Sequence, residues 1–201
     1  ETTAVLKNGC WVLNGSKTFT TQGSVAGVYV IFAVTQPGAE GKGISIFVAE
    51  PGKGLEVGKK EIKMGLRSSD TAQLHLVDFK IPEENLMGTL NKGFPAAMKI
   101  LDAGRVAISG VSIGMARSAI EHALANISAG KTKIPSLRTR WQKEPNAGLT
   151  VDRKIVSHYA SRLQAVRLLA LFAAKLLDEK KNFSIYGSMA KLLSGELAMQ
   201  A

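Results

Sequence analysis

Asp102 and Arg105 stand three residues apart in the run KILDAGRVAIS. That spacing sets an acceptor and a guanidinium on one face of a helix. Such a pair either closes on itself as an intrahelical ion pair or turns its donors toward a polar ligand. A second concentration of chemistry lies in ISAGKTKIPSLRTRWQKEPNAGLT, where Lys131, Lys133, Arg138, Arg140 and Lys143 surround Trp141. This basic stretch reads as an anion-binding loop or as a solvated connector. One Trp is a poor stacking platform for single-stranded nucleic acid. His75, His122 and His158 each stand alone, with no Cys or His at metal-ligand spacing, so they indicate neither a metal centre nor a general base. The single Cys10 excludes an internal disulfide framework and fits a reducing compartment.

The elements that must position these residues change period midway along the chain. From Trp11 to about Phe79, short β-branched and aromatic runs alternate with turn signals. Asn14-Gly15 predicts a hairpin, GVYVIFAV a strand covered on both faces, and AQLHLVDFKIP a half-buried strand ended by Pro82. Strands joined by short turns predict an antiparallel β-barrel or sandwich. From Gly93 to Asn126 apolar residues recur at three- and four-residue steps, which predicts a long central helix. Its thin positions, Ala103, Gly104, Ala107, Gly110 and Gly114, predict close approach by another backbone or a ligand. A second helix follows from Thr150 to Leu177, with an apolar end expected to be buried between helices. After a turn at Lys180–Asn182, a third begins with Ser184 as candidate cap. The fold class is therefore α+β, a β-domain over 1–87 followed by an up-down helical bundle portion over 88–201.

With 201 residues, 45% hydrophobic and 21% charged, the chain has an ordinary globular composition. A net charge of +10 favours anionic partners without choosing among phosphate-bearing cofactors, acidic proteins and nucleic acid. No run is long and apolar enough for a membrane span, and the first residues do not read as a signal peptide. A start at Glu1 and an apolar pattern still running at Ala201 suggest a piece of a longer protein.

Several strings carry a specific resemblance over essentially the whole length: LNGSKTFTTQG, KGISIFVAE, EIKMGLRSSDTAQLHLVDFKIPEENLMG, KGFPAAMKILDAGR and YGSMAKLLSGELA. Together they resemble acyl-CoA dehydrogenases, specifically the middle β-domain and the start of the C-terminal helical domain. The resemblance implies an FAD-dependent oxidoreductase that desaturates acyl-CoA thioesters between the α and β carbons and passes electrons to an electron-transfer flavoprotein. It implies a homo-oligomer, dimer or tetramer, in the cytoplasm or in the mitochondrial matrix of a eukaryote. Phe19 matches the aromatic beside the flavin ring, Thr20 follows it, and Thr21 matches the hydroxyl residue near the flavin's reactive nitrogen. Gly41 matches a loop position at the acyl-CoA thioester, and Asp102 and Arg105 match an Asp-x-x-Arg pair on the CoA moiety. The family's pyrophosphate-binding arginine falls on Gly130, which leaves Lys131 and Thr132 as the aligned cofactor contacts. The family's base is a glutamate beyond this stretch or just before Arg105, where Gly104 stands, so no catalytic residue is assigned and the chain alone is expected to be inactive. Two rivals share the scaffold: a DNA-associated alkylation-response type of binding protein and a flavin monooxygenase.

Overall fold

The structure is a computed structural model that describes residues 2–39, 42–129 and 151–201. It divides into two compact units, Glu1–Met98 and Lys99–Ala201. The first holds one seven-stranded sheet: β1 (Thr3–Lys7), β2 (Cys10–Thr21), β3 (Tyr29–Val34), β4 (Ile44–Ala49), β5 (Leu55–Lys60), β6 (Thr71–Pro82) and β7 (Leu86–Met87). The spatial order is β5-β6-β2-β1-β3-β4-β7. Every pairing is antiparallel except β1 with β3, which meet in parallel at Thr3 and Val34 alone. The β-domain is as expected in kind, but the sheet is mixed and, among the described residues, does not close into a barrel. Leu13, Phe47, Leu74, Leu76, Phe79 and Ile81 are central to its core.

The hairpin expected at Asn14-Gly15 lies elsewhere. Strand β2 runs straight through that dipeptide, and the turn falls at Asn8-Gly9, whose φ values of 51° and 72° are the left-handed pair a two-residue turn requires. Asn14 instead clamps a bulge on β6: Nδ2 donates to Asp78 Oδ1 (3.0 Å), and the Asp78 amide donates to Asn14 Oδ1 (2.8 Å). The residue opposite Asn14 therefore decides its fate, and local turn propensity loses to a long-range pair. Strand β3 also departs from expectation: Tyr29, Ile31 and Ala33 are buried, while Val30 is 56% exposed, so only one face is covered. Strand β6 alternates as expected, with Ala72, Leu74 and Leu76 inside.

Helix α1 (Gly93–Ser128) begins in the first unit and continues through the second, which also contains α2 (Val151–Asp178) and α3 (Ser184–Gln200). Ala116 and Ile120 of α1 pack with Leu163 and Val166 of α2 and Leu197 of α3. The last two helices are antiparallel, since Arg162 in the first half of α2 donates to Gln200 at the end of α3 (2.6 Å), and Phe172 in its second half meets Tyr186 near the start of α3 edge-on at 5.0 Å. Lys180 in the left-handed region (φ 54°) closes α2, with the Lys180 and Lys181 amides bonded to the Leu177 and Leu176 carbonyls. Ser184 is not the cap; Asn182 Oδ1 accepts its amide instead (3.2 Å). Among the described residues the apolar end of α2 is not enclosed: Leu168, Leu171 and Phe172 stand 66%, 55% and 45% exposed. Among the described residues no other backbone makes the expected approach at the α1 glycines: a Cβ built on Gly104, Gly110 or Gly114 would meet nothing within 4 Å. The near approach is made by Gly187 of α3, whose Cβ would stand 3.1 Å from Val106 Cγ2.

Candidate functional site

Phe19 owes its position to an irregularity in β2. Lys17 pairs with Leu74 and Thr20 with Ala72, so the strand carries one extra residue between those rungs. A bulge of this kind re-aims a side chain, and Phe19 sits within it at φ 55° and 71% exposed. A bulky residue in the left-handed region costs roughly 1–2 kcal/mol. An exposed aromatic held there against its own backbone preference is an observation that points toward function. Thr20 and Thr21 regain the pairing with β6, opposite Ala72 and Thr71.

The turn after Thr21 is fixed by groups that sequence reasoning overlooked. The Gln22 amide bonds to the Asp70 carbonyl (2.8 Å), and the Ser24 amide donates to Asp70 Oδ2 (2.9 Å). Lys60 Nζ lies 3.4 Å from Asp70 Oδ1. The Ser24 amide is the main reason that the Asp70 carboxyl titrates below its ordinary range, with further help from Lys60 against the opposing effect of burial. Tyr29 Oη donates to the Gly23 carbonyl (2.8 Å), and a Cβ on Gly23 would stand 3.0 Å from the Thr20 carbonyl oxygen. The end of β2 is thus held before any ligand arrives. Asp70 lies far from Thr21 in sequence, and the string that contains it gives no sign of which amides it meets, which is why its role was not legible.

Beside these residues runs a groove of about 320 Å³ between β2 and β3, lined by Lys17, Thr18, Thr20, Thr21, Val30 and Phe32 among others. Phe19 stands outside its lining. Lys17 Nζ donates to the Phe32 carbonyl (2.5 Å), and burial lowers the pKa of this ammonium. A larger groove of about 1240 Å³, with Glu50, Lys53, Asp78 and Lys80 on its walls, brings none of the candidate residues together.

Asp102 and Arg105 belong to the other unit and form the ion pair anticipated from their spacing, Nη1 donating to Oδ1. Their side chains are 23% and 41% exposed, which leaves guanidinium donors open to solvent. Ser109 Oγ donates to the Arg105 carbonyl (2.7 Å). Gly41, Lys131, Thr132 and the basic stretch around Trp141 lie outside the described residues. His75 is held in place rather than poised: Ser16 Oγ is 3.0 Å from its Nδ1, and a Cβ on Gly58 would stand 2.7 Å from its Nε2. Among the described residues no group of three or more His, Cys, Asp or Glu could hold a metal ion.

Comparison with known proteins gives a consistent result for both units. Residues 1–79 match the family model of the acyl-CoA dehydrogenase middle domain, and residues 91–201 match that of the C-terminal domain. An acyl-CoA dehydrogenase of Bacillus subtilis is 37% identical, covering 100% of this chain and 51% of its own length. Subunit CarC of the caffeyl-CoA reductase-Etf complex of Acetobacterium woodii is 36% identical over 98% of this chain and 50% of its own. Among solved structures, butyryl-CoA dehydrogenase from Megasphaera elsdenii superposes with a TM-score of 0.87 at 32% identity, covering 100% of this chain and 50% of that one. The chain spans about half the length of the curated relatives it matches.

Proposed function

The chain belongs to the acyl-CoA dehydrogenase family, and from that premise we propose that its parent protein is a flavin-dependent dehydrogenase of acyl-CoA thioesters. In this reading residues 1–87 form the flavin-facing β-domain and 88–201 part of the helical domain. The observation that carries it is the Phe19 bulge, a strained and exposed aromatic followed at once by two hydroxyl side chains.

The donor set fits an isoalloxazine, which has a flat apolar body and a polar edge that wants hydrogen bonds. Phe19 would offer its ring face, while Thr20 and Thr21 would offer hydroxyl donors, with Lys131 and Thr132 as the residues for the pyrophosphate. FAD, when bound, supplies the two-electron acceptor for hydride from the β-carbon. A hydroxyl already in position at the charge-gaining edge stabilises it without reorganisation. Asp102 and Arg105 would grip the CoA moiety through acceptor and guanidinium together, with Gly41 contributing backbone near the thioester. The Etf named in the Acetobacterium complex supports an electron-transfer flavoprotein as redox partner, which in this reading accepts the electrons. A homo-oligomer in the cytoplasm or the mitochondrial matrix completes the proposal.

The test is to express the parent protein and follow its flavin spectrum on adding a short acyl-CoA without oxygen. Bleaching is expected, and Phe19→Ala should cut flavin retention. A protein that purifies with no flavin and is untouched by any acyl-CoA overturns the reading.

A further inference from the structure

Lys17 is an unusual lysine. It stands on β2 opposite Leu74, on the face that carries the core; among the described residues no carboxylate pairs with it, and its one partner is the Phe32 carbonyl. An ammonium has three donors, so at least two N–H bonds are left over. Among the described residues the groove it lines offers no counter-charge: Thr18, Thr20 and Thr21 come from β2, and the residues from Val28 to Phe32 line it as well. Val28 and Val30 are 57% and 56% exposed, so part of the groove's aliphatic lining is open to solvent. A half-enclosed amine in such surroundings gains by becoming neutral, which is how lysines become nucleophiles.

We propose that Lys17 is an acyl-accepting site, a position where the ε-amine takes the acyl group of a thioester that enters the groove between β2 and β3. The neutral amine attacks the thioester carbonyl, an amide C–N bond forms and the C–S bond breaks. The thiol leaves with the proton that the nitrogen gives up, and no oxidant or reductant is consumed. Burial supplies the neutral amine at lower pH than at a solvated lysine. The Phe32 carbonyl accepts one N–H and leaves the nitrogen lone pair free, while Thr18 and Thr20 are the hydroxyl donors available to the carbonyl oxygen. An acyl chain would lie on Val28, Val30 and Phe32. Acylation erases a positive charge and fills space beside Thr20 and Thr21, so it would report on thioester supply at the end of β2.

The proposal rests on the acyl-CoA reading only for the source of the thioester, and its test is independent of flavin. The chain is incubated with butyryl-CoA and, separately, with the butyryl thioester of N-acetylcysteamine, which has no nucleotide, and acylated lysines are mapped by peptide mass spectrometry against time. Lys17 should be labelled several-fold faster than the exposed Lys53 and Lys175 by both reagents. Its rate should rise with pH earlier than theirs, and the preference should vanish in urea. Lys17→Arg should remove that signal and leave the reference lysines unchanged. Labelling of Lys17 no faster than of Lys175, or a preference that survives unfolding, overturns the proposal. A parent that bleaches with butyryl-CoA while Lys17 stays unlabelled sinks this proposal alone, whereas a labelled Lys17 in a protein that never reduces flavin sinks the dehydrogenase reading alone.

Discussion

At the scale of single residues, one side chain holds a position that its own chemistry resists and another a position that its chemistry favours. Phe19 occupies a left-handed backbone while largely exposed, so its burial cannot compensate the strain. Phe19→Gly should therefore stabilise the isolated chain by about 1 kcal/mol in urea unfolding. The same variant should weaken flavin retention in the parent; a loss of stability instead would mean that the ring packs against its own sheet. Asp70 works in the opposite sense. Its carboxyl titrates lower in the folded chain than in the unfolded one, where about 3.9 is ordinary. It therefore adds stability above that unfolded value, and the contribution is lost as pH falls through the lower native one. Asp70→Asn should flatten the acid limb of a stability-against-pH curve, and an unchanged limb would refute the role given to the Ser24 and Lys60 contacts. Only family resemblance marks Phe19 and Thr21 as candidates, since TFTT alone reads as an ordinary strand and gives no sign of the bulge at Phe19. Asp102 and Arg105 were legible from spacing, because a helix turns three-residue separation into contact.

At the scale of elements, each departure from expectation has a partner that local sequence does not name. Asn14-Gly15 has the composition of a hairpin turn, yet Asp78 on β6 captures Asn14 and the strand continues. The Asn8-Gly9 turn has the same composition and no such captor. On α1, glycine read as a sign of contact, but the contact belongs to Gly187 on another helix. Gly104→Ala should accordingly raise stability by roughly 0.5–1 kcal/mol, because the added methyl meets open space and gains helix propensity. Gly43→Ala should do the reverse: its Cβ would stand 2.1 Å from the Gln36 carbonyl oxygen, so the β3–β4 connection must distort. A loss of about 1–3 kcal/mol is expected by denaturant titration. Equal stabilities for the two variants would show that these close approaches do not govern the backbone.

At the scale of the whole molecule, fold class was legible because the switch from strand-like to helix-like periodicity happens once, near Gly93. Coverage was not legible, since periodicity marks which faces are apolar and leaves open which chain covers them. On α2 and α3, Leu168, Leu171, Leu192 and Met199 stand 66%, 55%, 58% and 89% exposed. Apolar side chains exposed on two packed helices should bind an apolar dye, and Leu168→Lys with Leu192→Lys should reduce that fluorescence without loss of helicity. No reduction would locate the dye elsewhere. The two Asn-Gly pairs have a further consequence, which concerns chemical ageing. A glycine amide nitrogen that swings onto the preceding carboxamide carbon expels ammonia and leaves a succinimide, then aspartate or isoaspartate. Asn14 is spared because Asp78 holds both ends of its carboxamide, whereas Asn8 sits exposed on a tight turn. On prolonged storage the first acidic charge variant of this chain should map to Asn8, at the turn where β1 enters β2.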